Sequence, residues 1–215
     1  MKNLIRPLIA LAIVATTFTS CMDKGEDIDY EGQILAQERS IDSVLNSQRS
    51  AIQAYVAAEF TNPVTDTTSI NLTRLGKKVT RGMYYEVLSE PTNSTYEYKY
   101  SGSGFVVPTV KLKYTVSTLS KTVVQSDATG GTYTLNYNNA AFSSVWLYSF
   151  YPYSISYNGN QVKIDQLGGL TKDGLKTGSK FRIISPSLWT ETNSSSSTIP
   201  ANQPLVYEFE VLSIE

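Results

Sequence analysis

The side chains that usually carry chemistry are scarce in this chain. It has no histidine and one cysteine, Cys21. Without histidine there is no Ser-His-Asp triad, no Cys-His pair, no imidazole acid–base relay and no zinc site built on imidazole. A lone cysteine closes no intramolecular disulfide. The glycine-rich run Gly168–Gly178 fits neither a phosphate-binding loop nor a dinucleotide fingerprint. Asp165 and Asp173 lack a spacing that would pair them as acid and base. No metal and no cofactor are therefore expected. The formal net charge is −1, and no basic stripe is interleaved with aromatics, so no nucleic-acid partner is expected either. What the chain has in quantity is rings: 15 Tyr, 7 Phe and 2 Trp. Exposed on one flat face, Trp146, Tyr148, Tyr151 and Tyr153 would suit a β-rich, glycan-binding surface protein.

The elements that must position these rings are mostly strands. Many Tyr, Thr, Ser and Val with few charges favour a β-rich, extracytoplasmic protein. The clearest strand is the last. Pro200 and Pro204 fix φ and cannot donate to a ladder, so it starts after them. Leu205, Tyr207, Phe209 and Val211 then share one face, and Val206, Glu208, Glu210 and Leu212 the other. Strands are also predicted at Gly82–Leu88, Tyr96–Tyr100, Val110–Val116, Thr132–Tyr137, Val145–Tyr151, Ser154–Tyr157 and Lys180–Ile184. Gly102-Ser103-Gly104 and Asn158-Gly159 read as turns. One long amphipathic helix, with Asn46-Ser47 as the point where it could break, is predicted from about Tyr30 to Glu59: Ile34, Ile41, Leu45, Ile52 and Tyr55/Val56 keep helical spacing, and no Gly or Pro intervenes between Gly32 and Pro63. Residues 60–78 read as a loop, and Asn193–Thr198 as a Ser-rich one.

The N-terminus predicts an address. Lys2 and Arg6 precede an apolar stretch, Leu8–Ala15, too short to span a membrane, and Phe18-Thr19-Ser20-Cys21 resembles a bacterial lipobox. Cys21 is the expected lipidation site. Acyl chains there would anchor the protein to a membrane, at about 0.8 kcal/mol per buried methylene. The acidic residues Asp23, Glu26 and Asp27 resemble the export signal of Bacteroidetes surface lipoproteins. The expected location is the bacterial cell envelope, as an outer-membrane lipoprotein on either face.

Ile199-Pro-Ala-Asn-Gln-Pro-Leu-Val-Tyr-Glu-Phe-Glu-Val-Leu-Ser-Ile-Glu215 resembles the C-terminus of FKBP-type peptidyl-prolyl isomerases. Gly82-Met-Tyr-Tyr-Glu-Val-Leu88, Val110-Lys-Leu-Lys-Tyr-Thr-Val116, Thr122-Val-Val-Gln-Ser126 and Gly168–Pro186 are similar to further blocks of the family, in the same order. The resemblance implies an α+β fold: a bent antiparallel sheet around a short helix, here preceded by the long N-terminal helix. It places that short helix near Leu170–Leu175. The implied organisation is a signal peptide at 1–20, a tether at 21–29, the helix and loop at 30–80, and an FKBP-like domain at 81–215 rebuilt between about 128 and 161.

The resemblance also implies an activity and a site. Rotating an X–Pro bond crosses a barrier of ~18–20 kcal/mol, and an apolar pocket can lower it by binding the desolvated, twisted amide in preference to the planar one. Carried over, the catalytic positions are Tyr114, Tyr207 and Gln125, the last replacing the family's aspartate. The substrate-binding positions are Val124 (in place of an aromatic), Ile199, Thr190 with Trp189 beside it, and Leu170 as nearest counterpart of the tryptophan at the pocket floor. The implied partners are proline-containing peptide or protein segments. Either weak isomerisation or non-catalytic binding is consistent with this altered set.

Overall fold

The computed structural model describes residues 29–91, 94–101, 104–136, 142–157, 159–163, 168–190 and 199–215. Cys21 with the predicted signal peptide, Gly102-Ser103, Asn158, Asp165 and the Ser-rich loop lie outside the described residues. In chain order the elements are α1 (Tyr30–Glu59), β1 (Val64–Thr65), β2 (Ser69–Leu72), β3 (Lys77–Thr80), β4 (Tyr84–Ser89), β5 (Tyr100–Ser101), β6 (Gly104–Phe105), β7 (Thr109–Thr118), β8 (Val123–Thr134), α2 (Ser144–Phe150), β9 (Ser154–Tyr157), β10 (Asn160–Lys163), β11 (Lys180–Ser185), a 3-10 turn (Ser187–Trp189) and β12 (Leu205–Ile214).

The main sheet is antiparallel with strand order β1-β4-β11-β12-β7-β8. The C-terminal strand β12 thus sits inside the sheet, between β11 and β7. Register shifts between Leu112 and Tyr114, Val116 and Ser117, Lys180 and Phe181, and Val211 and Ser213 mark bulges, which bend strands and strengthen twist. One face packs on α2: Val110, Leu112, Val116, Phe181, Ile183, Tyr207 and Phe209 join Val145, Trp146 and Phe150 in the largest core. The other face packs on α1, where Ile52, Val56 and Phe60 meet Ile184 and Val206. The α+β architecture implied by the resemblance is present: long N-terminal helix, bent antiparallel sheet, short helix.

The helix α1 runs unbroken because its interior lacks Gly and Pro, and because it is capped at both ends. Asp29 Oδ1 accepts the Gly32 N–H at 2.8 Å. Arg182 donates to the Glu59 carbonyl at 3.0 Å, placing a cation at the helix C-terminus. In its middle, the buried Gln48 donates to Ser187 Oγ (2.8 Å) and to the Asn202 carbonyl (3.1 Å) and accepts the Ser187 N–H (2.9 Å). Residues 60–78, read as a loop, contain β1 and the β2–β3 hairpin. That hairpin buries Leu72 against Ile41 and Leu45, and its turn is held by Glu38, which accepts the N–H groups of Arg74 (2.8 Å) and Leu75 (2.9 Å).

Three predicted elements are corrected. Val145–Tyr151 is not a strand but lies within α2 and its C-cap. Leu170–Leu175 is not a helix: it is an irregular strap whose N–H groups satisfy the end of α2, Leu170 donating to Tyr148 O (2.9 Å) and Leu175 to Phe150 O (3.1 Å). Tyr96–Lys99 is not in a strand. The buried Tyr98 ring is gripped by Tyr96, Phe105 and Tyr151, and its hydroxyl donates to the Leu175 carbonyl at 2.7 Å, which holds this segment off the sheet.

Candidate functional site

The rings converge where α2 meets the sheet. Trp146, on the sheet-facing side of α2, has Tyr114 of β7 edge-on at 4.9 Å between centroids and Phe209 of β12 edge-on at 5.0 Å. Tyr133 of β8 lies at 5.5 Å and Phe142, just ahead of α2, at 5.0 Å. Phe150 stacks one helical turn on, at 6.2 Å. The strands deliver these rings through their register: Phe209 pairs with Tyr114, and alternation sends both to the α2 face. The result is an aromatic cup with the Trp146 indole as its floor. The walls close tightly, leaving Trp146 only 4% and Tyr114 only 8% exposed.

The cup carries one carboxylate at its lip. Tyr114 pairs across the β7–β8 ladder with Asp127. Asp127 Oδ1 accepts the N–H of Thr129 (3.0 Å), the Thr129 hydroxyl (2.8 Å) and the Gly130 N–H (3.0 Å), while Oδ2 accepts the Tyr133 hydroxyl at 2.6 Å. The Tyr133 hydroxyl, then the Thr129 hydroxyl and the Gly130 N–H, hold the Asp127 carboxyl well below the usual carboxylate range. Burial, then the hydrogen bond to Asp127, pushes the Tyr133 phenol far above its ordinary value, and burial raises Tyr114 too. The lip is thus an ionised carboxylate bonded to the neutral phenol of Tyr133, with the neutral Tyr114 phenol beside it.

The predicted site residues fall in three places. Tyr114 lines the cup. Tyr207 is fully buried beside it, stacked 6.1 Å from Phe209 with its hydroxyl 3.4 Å from Ser143 Oγ. Val124 and Ile199 are partly buried against the same core. Gln125 is exposed and pairs with Val116, so it does not stand where a carboxylate would meet Tyr114. That correction has a physical cause: β8 places Val124 as an extra residue between the Val116–Gln125 and Ser117–Val123 pairs, which moves the register beyond what an ungapped reading provides. Leu170, Trp189 and Thr190 are not brought to the cup. Leu170 sits in the strap and its carbonyl accepts the Tyr85 hydroxyl at 3.2 Å. The Trp189 indole donates to the Arg81 carbonyl at 3.0 Å and packs on Tyr148 at 6.1 Å. Thr190 is buried with its hydroxyl on the Ser187 carbonyl at 3.1 Å.

Sequence reasoning missed Trp146 as the floor, and Asp127, Tyr133 and Phe142 around it. One signal was there: Asp127-Ala-Thr-Gly-Gly131 is an Asp-led turn sequence. The glycan reading required exposed rings, but Trp146 and Tyr151 are buried. Among the described residues no group of three His, Cys, Asp or Glu side chains could hold a metal, and no helix is long and apolar enough to cross a membrane. A groove of about 570 Å³ lies away from the cup, between Ser94–Lys99, Val106–Val107, Thr177 and the C-terminal Ile214–Glu215. It gathers no ring cluster and no polar network like that of the lip, so the cup is the better candidate.

Among solved structures, the chain is similar to a peptidyl-prolyl cis-trans isomerase from Pseudomonas syringae pv. tomato, with 14% identity, covering 79% of this chain and 95% of that one at a TM-score of 0.40. It is similar to AtFKBP13, with 13% identity, 61% and 92% coverage and a TM-score of 0.40. It is also similar to the three FKBP domains of wheat FKBP73, with 15% identity, 69% and 48% coverage and a TM-score of 0.37. No family model and no curated protein matches the chain. At these identities and TM-scores the functional reading rests on the residues of the cup.

Proposed function

We propose that this is a lipid-anchored protein of the bacterial cell envelope whose sheet domain takes proline-containing segments of peptides or proteins into the aromatic cup and turns over X–Pro bonds weakly. The observation that carries the reading is the Trp146 indole enclosed by Tyr114, Tyr133, Phe142 and Phe209. A proline ring is apolar and flat enough to stack on an indole, and the amide beside it would lose its water on entering such walls. A planar amide is stabilised by resonance that polarises it. A dry wall therefore favours the twisted, less polar form, and each 1.36 kcal/mol of that preference gives about a tenfold acceleration. With the Tyr133 proton given to Asp127, the Tyr114 hydroxyl is the polar group at the lip that could orient the rotating carbonyl.

A second reading is binding without turnover: an indole 4% exposed is reached only after a wall ring moves, and a site that uses binding energy to open has less left to favour the twisted amide. A proline-limited refolding assay separates the two. Acceleration by wild type that is lost in Trp146→Ala supports turnover. Saturable binding of a prolyl peptide without acceleration supports binding alone, and neither signal rejects both. The anchor is proposed at Cys21, placing the protein at the outer membrane. Cys21→Ala should leave the membrane fraction or accumulate as unprocessed precursor, and unchanged fractionation and processing would reject the anchor.

A further inference from the structure

The Asp127 carboxylate is engaged from within the chain on both oxygens. Three donors of its own turn, the Thr129 N–H, the Thr129 hydroxyl and the Gly130 N–H, converge on Oδ1 at 2.8–3.0 Å. The remaining oxygen is taken by Tyr133 at 2.6 Å, a short, charge-assisted hydrogen bond. Tyr133 is at the same time a wall of the cup, edge-on to Tyr114 at 5.8 Å and tilted over Trp146 at 5.5 Å. One side chain therefore lines the apolar site and already draws on the oxygen through which the lip carboxylate would accept a ligand donor. A phenylalanine at position 133 would line the cup equally well. The hydroxyl adds no packing; it only fills the carboxylate.

Resting on the reading of the cup as a proline-segment site, we infer that Tyr133 determines its specificity: by capping Asp127 it makes the site select for the apolar fit of the proline ring and ignore the hydrogen-bond donors of the flanking chain. A ligand N–H that sought Asp127 would share Oδ2 with the Tyr133 hydroxyl, and an acceptor oxygen already holding a short charge-assisted bond gives a second donor less than a free one does. Removing the hydroxyl opens Oδ2, and a hydrogen bond to a charged group then adds roughly a tenfold gain or more in affinity.

The test is calorimetric titration of the full folded domain with two probes. One is a capped Ala-Leu-Pro-Ala peptide. The other is its depsipeptide, with ester oxygens in place of the flanking N–H groups. Wild type should bind both within about twofold. Tyr133→Phe should bind the peptide at least roughly tenfold tighter and the depsipeptide unchanged, and adding Asp127→Asn should erase that gain. Should Tyr133→Phe not melt cooperatively, Tyr133→Leu, which also lacks the hydroxyl, reads the same preference. In parallel, the Asp127 carboxyl titration followed by carbon NMR should move up in the hydroxyl-less variant, a change that a purely packing role would not produce. A wild type that already prefers the peptide tenfold, or a Tyr133→Phe that gains no preference, overturns the inference while leaving the cup as a binding site. Failure of every variant to bind either probe overturns the cup reading itself.

Discussion

Replacing Asp66 by Asn should be the most damaging isosteric change in the chain. Arg81 and Asp66 form an ion pair at 2.6 Å with side chains only 4% and 3% exposed. The guanidinium also donates to the Gly168 carbonyl (2.8 Å) and to Thr68 Oγ1 (3.1 Å), and it lies 4.1 Å over the Tyr148 ring of α2. Arg81 thereby ties the β2–β3 hairpin to the strap and to α2. A guanidinium keeps its charge in proteins. In Asp66→Asn its charge stays buried without a counter-ion, and breaking such a pair costs about 3–5 kcal/mol. The three remaining partners soften the loss, so the lower end, about 3 kcal/mol, is expected. For a chain of this size each kcal/mol moves Tm by about 2–4 °C, giving a drop of roughly 6–12 °C. Thermal and urea melts measure it. The double variant Asp66→Leu with Arg81→Met, which removes both charges, should recover most of the loss. A loss under about 1 kcal/mol in Asp66→Asn, or a double variant worse than the single one, would refute the reasoning, because the pair would then be solvated.

Three further outcomes are expected. Because the folded pKa of Asp127 lies below its ordinary 3.8, its contribution to stability is complete above about pH 4 and disappears as pH falls through the folded value; melts between pH 2 and 5 should show this dependence in wild type and not in Asp127→Asn, and a carboxyl titrating at or above 3.8 contradicts it. Gly174→Ala puts a Cβ 2.4 Å from the Phe150 carbonyl oxygen and 2.5 Å from the Tyr98 ring at φ +67°, so it should destabilise by about 1–3 kcal/mol or more, and an unchanged melt would mean that the strap does not sit against α2. Gln48→Ala leaves the Ser187 N–H and the Asn202 carbonyl without their buried partner, costing about 1–3 kcal/mol and raising hydrogen exchange at Ser187; unaltered exchange there would place α1 elsewhere.

Much of this fold was legible in the chain because patterning and chemistry agreed. For α1, the 3.6 spacing and the absence of Gly and Pro after Gly32 point to a helix, which runs on through Asn46-Ser47 where a break was open, and for β12 the two prolines and strict alternation mark the strand. α2 was hidden because Val, Trp, Leu, Tyr and Phe favour strands locally and because nearly all sides of this short helix are buried, so no polar face marks its period. The helix expected at the strap came from the resemblance, and there the N–H groups of Leu170 and Leu175 are used to finish α2 instead. In the site, Tyr114 was readable from its strand. Asp127 was not, since an ungapped reading of β8 puts Gln125 in its place, whereas the β7–β8 pairing sets Gln125 opposite Val116 and Asp127 opposite Tyr114. Trp146 was legible as an aromatic and illegible as a floor, because that role depends on four rings from other elements.

The central claim is that the aromatic cup, and not another surface, receives proline. The chain has two tryptophans, so its indole N–H signals report two places at once: Trp146 in the cup and Trp189, bonded to the Arg81 carbonyl, outside it. Titration of the isotopically labelled protein with a capped Ala-Leu-Pro-Ala peptide should shift the Trp146 indole signal in a saturable way and leave Trp189 in place, and the same peptide with alanine for proline should shift neither. A Trp146 signal that stays fixed at saturating peptide, or a shift at Trp189 alone, would contradict the account.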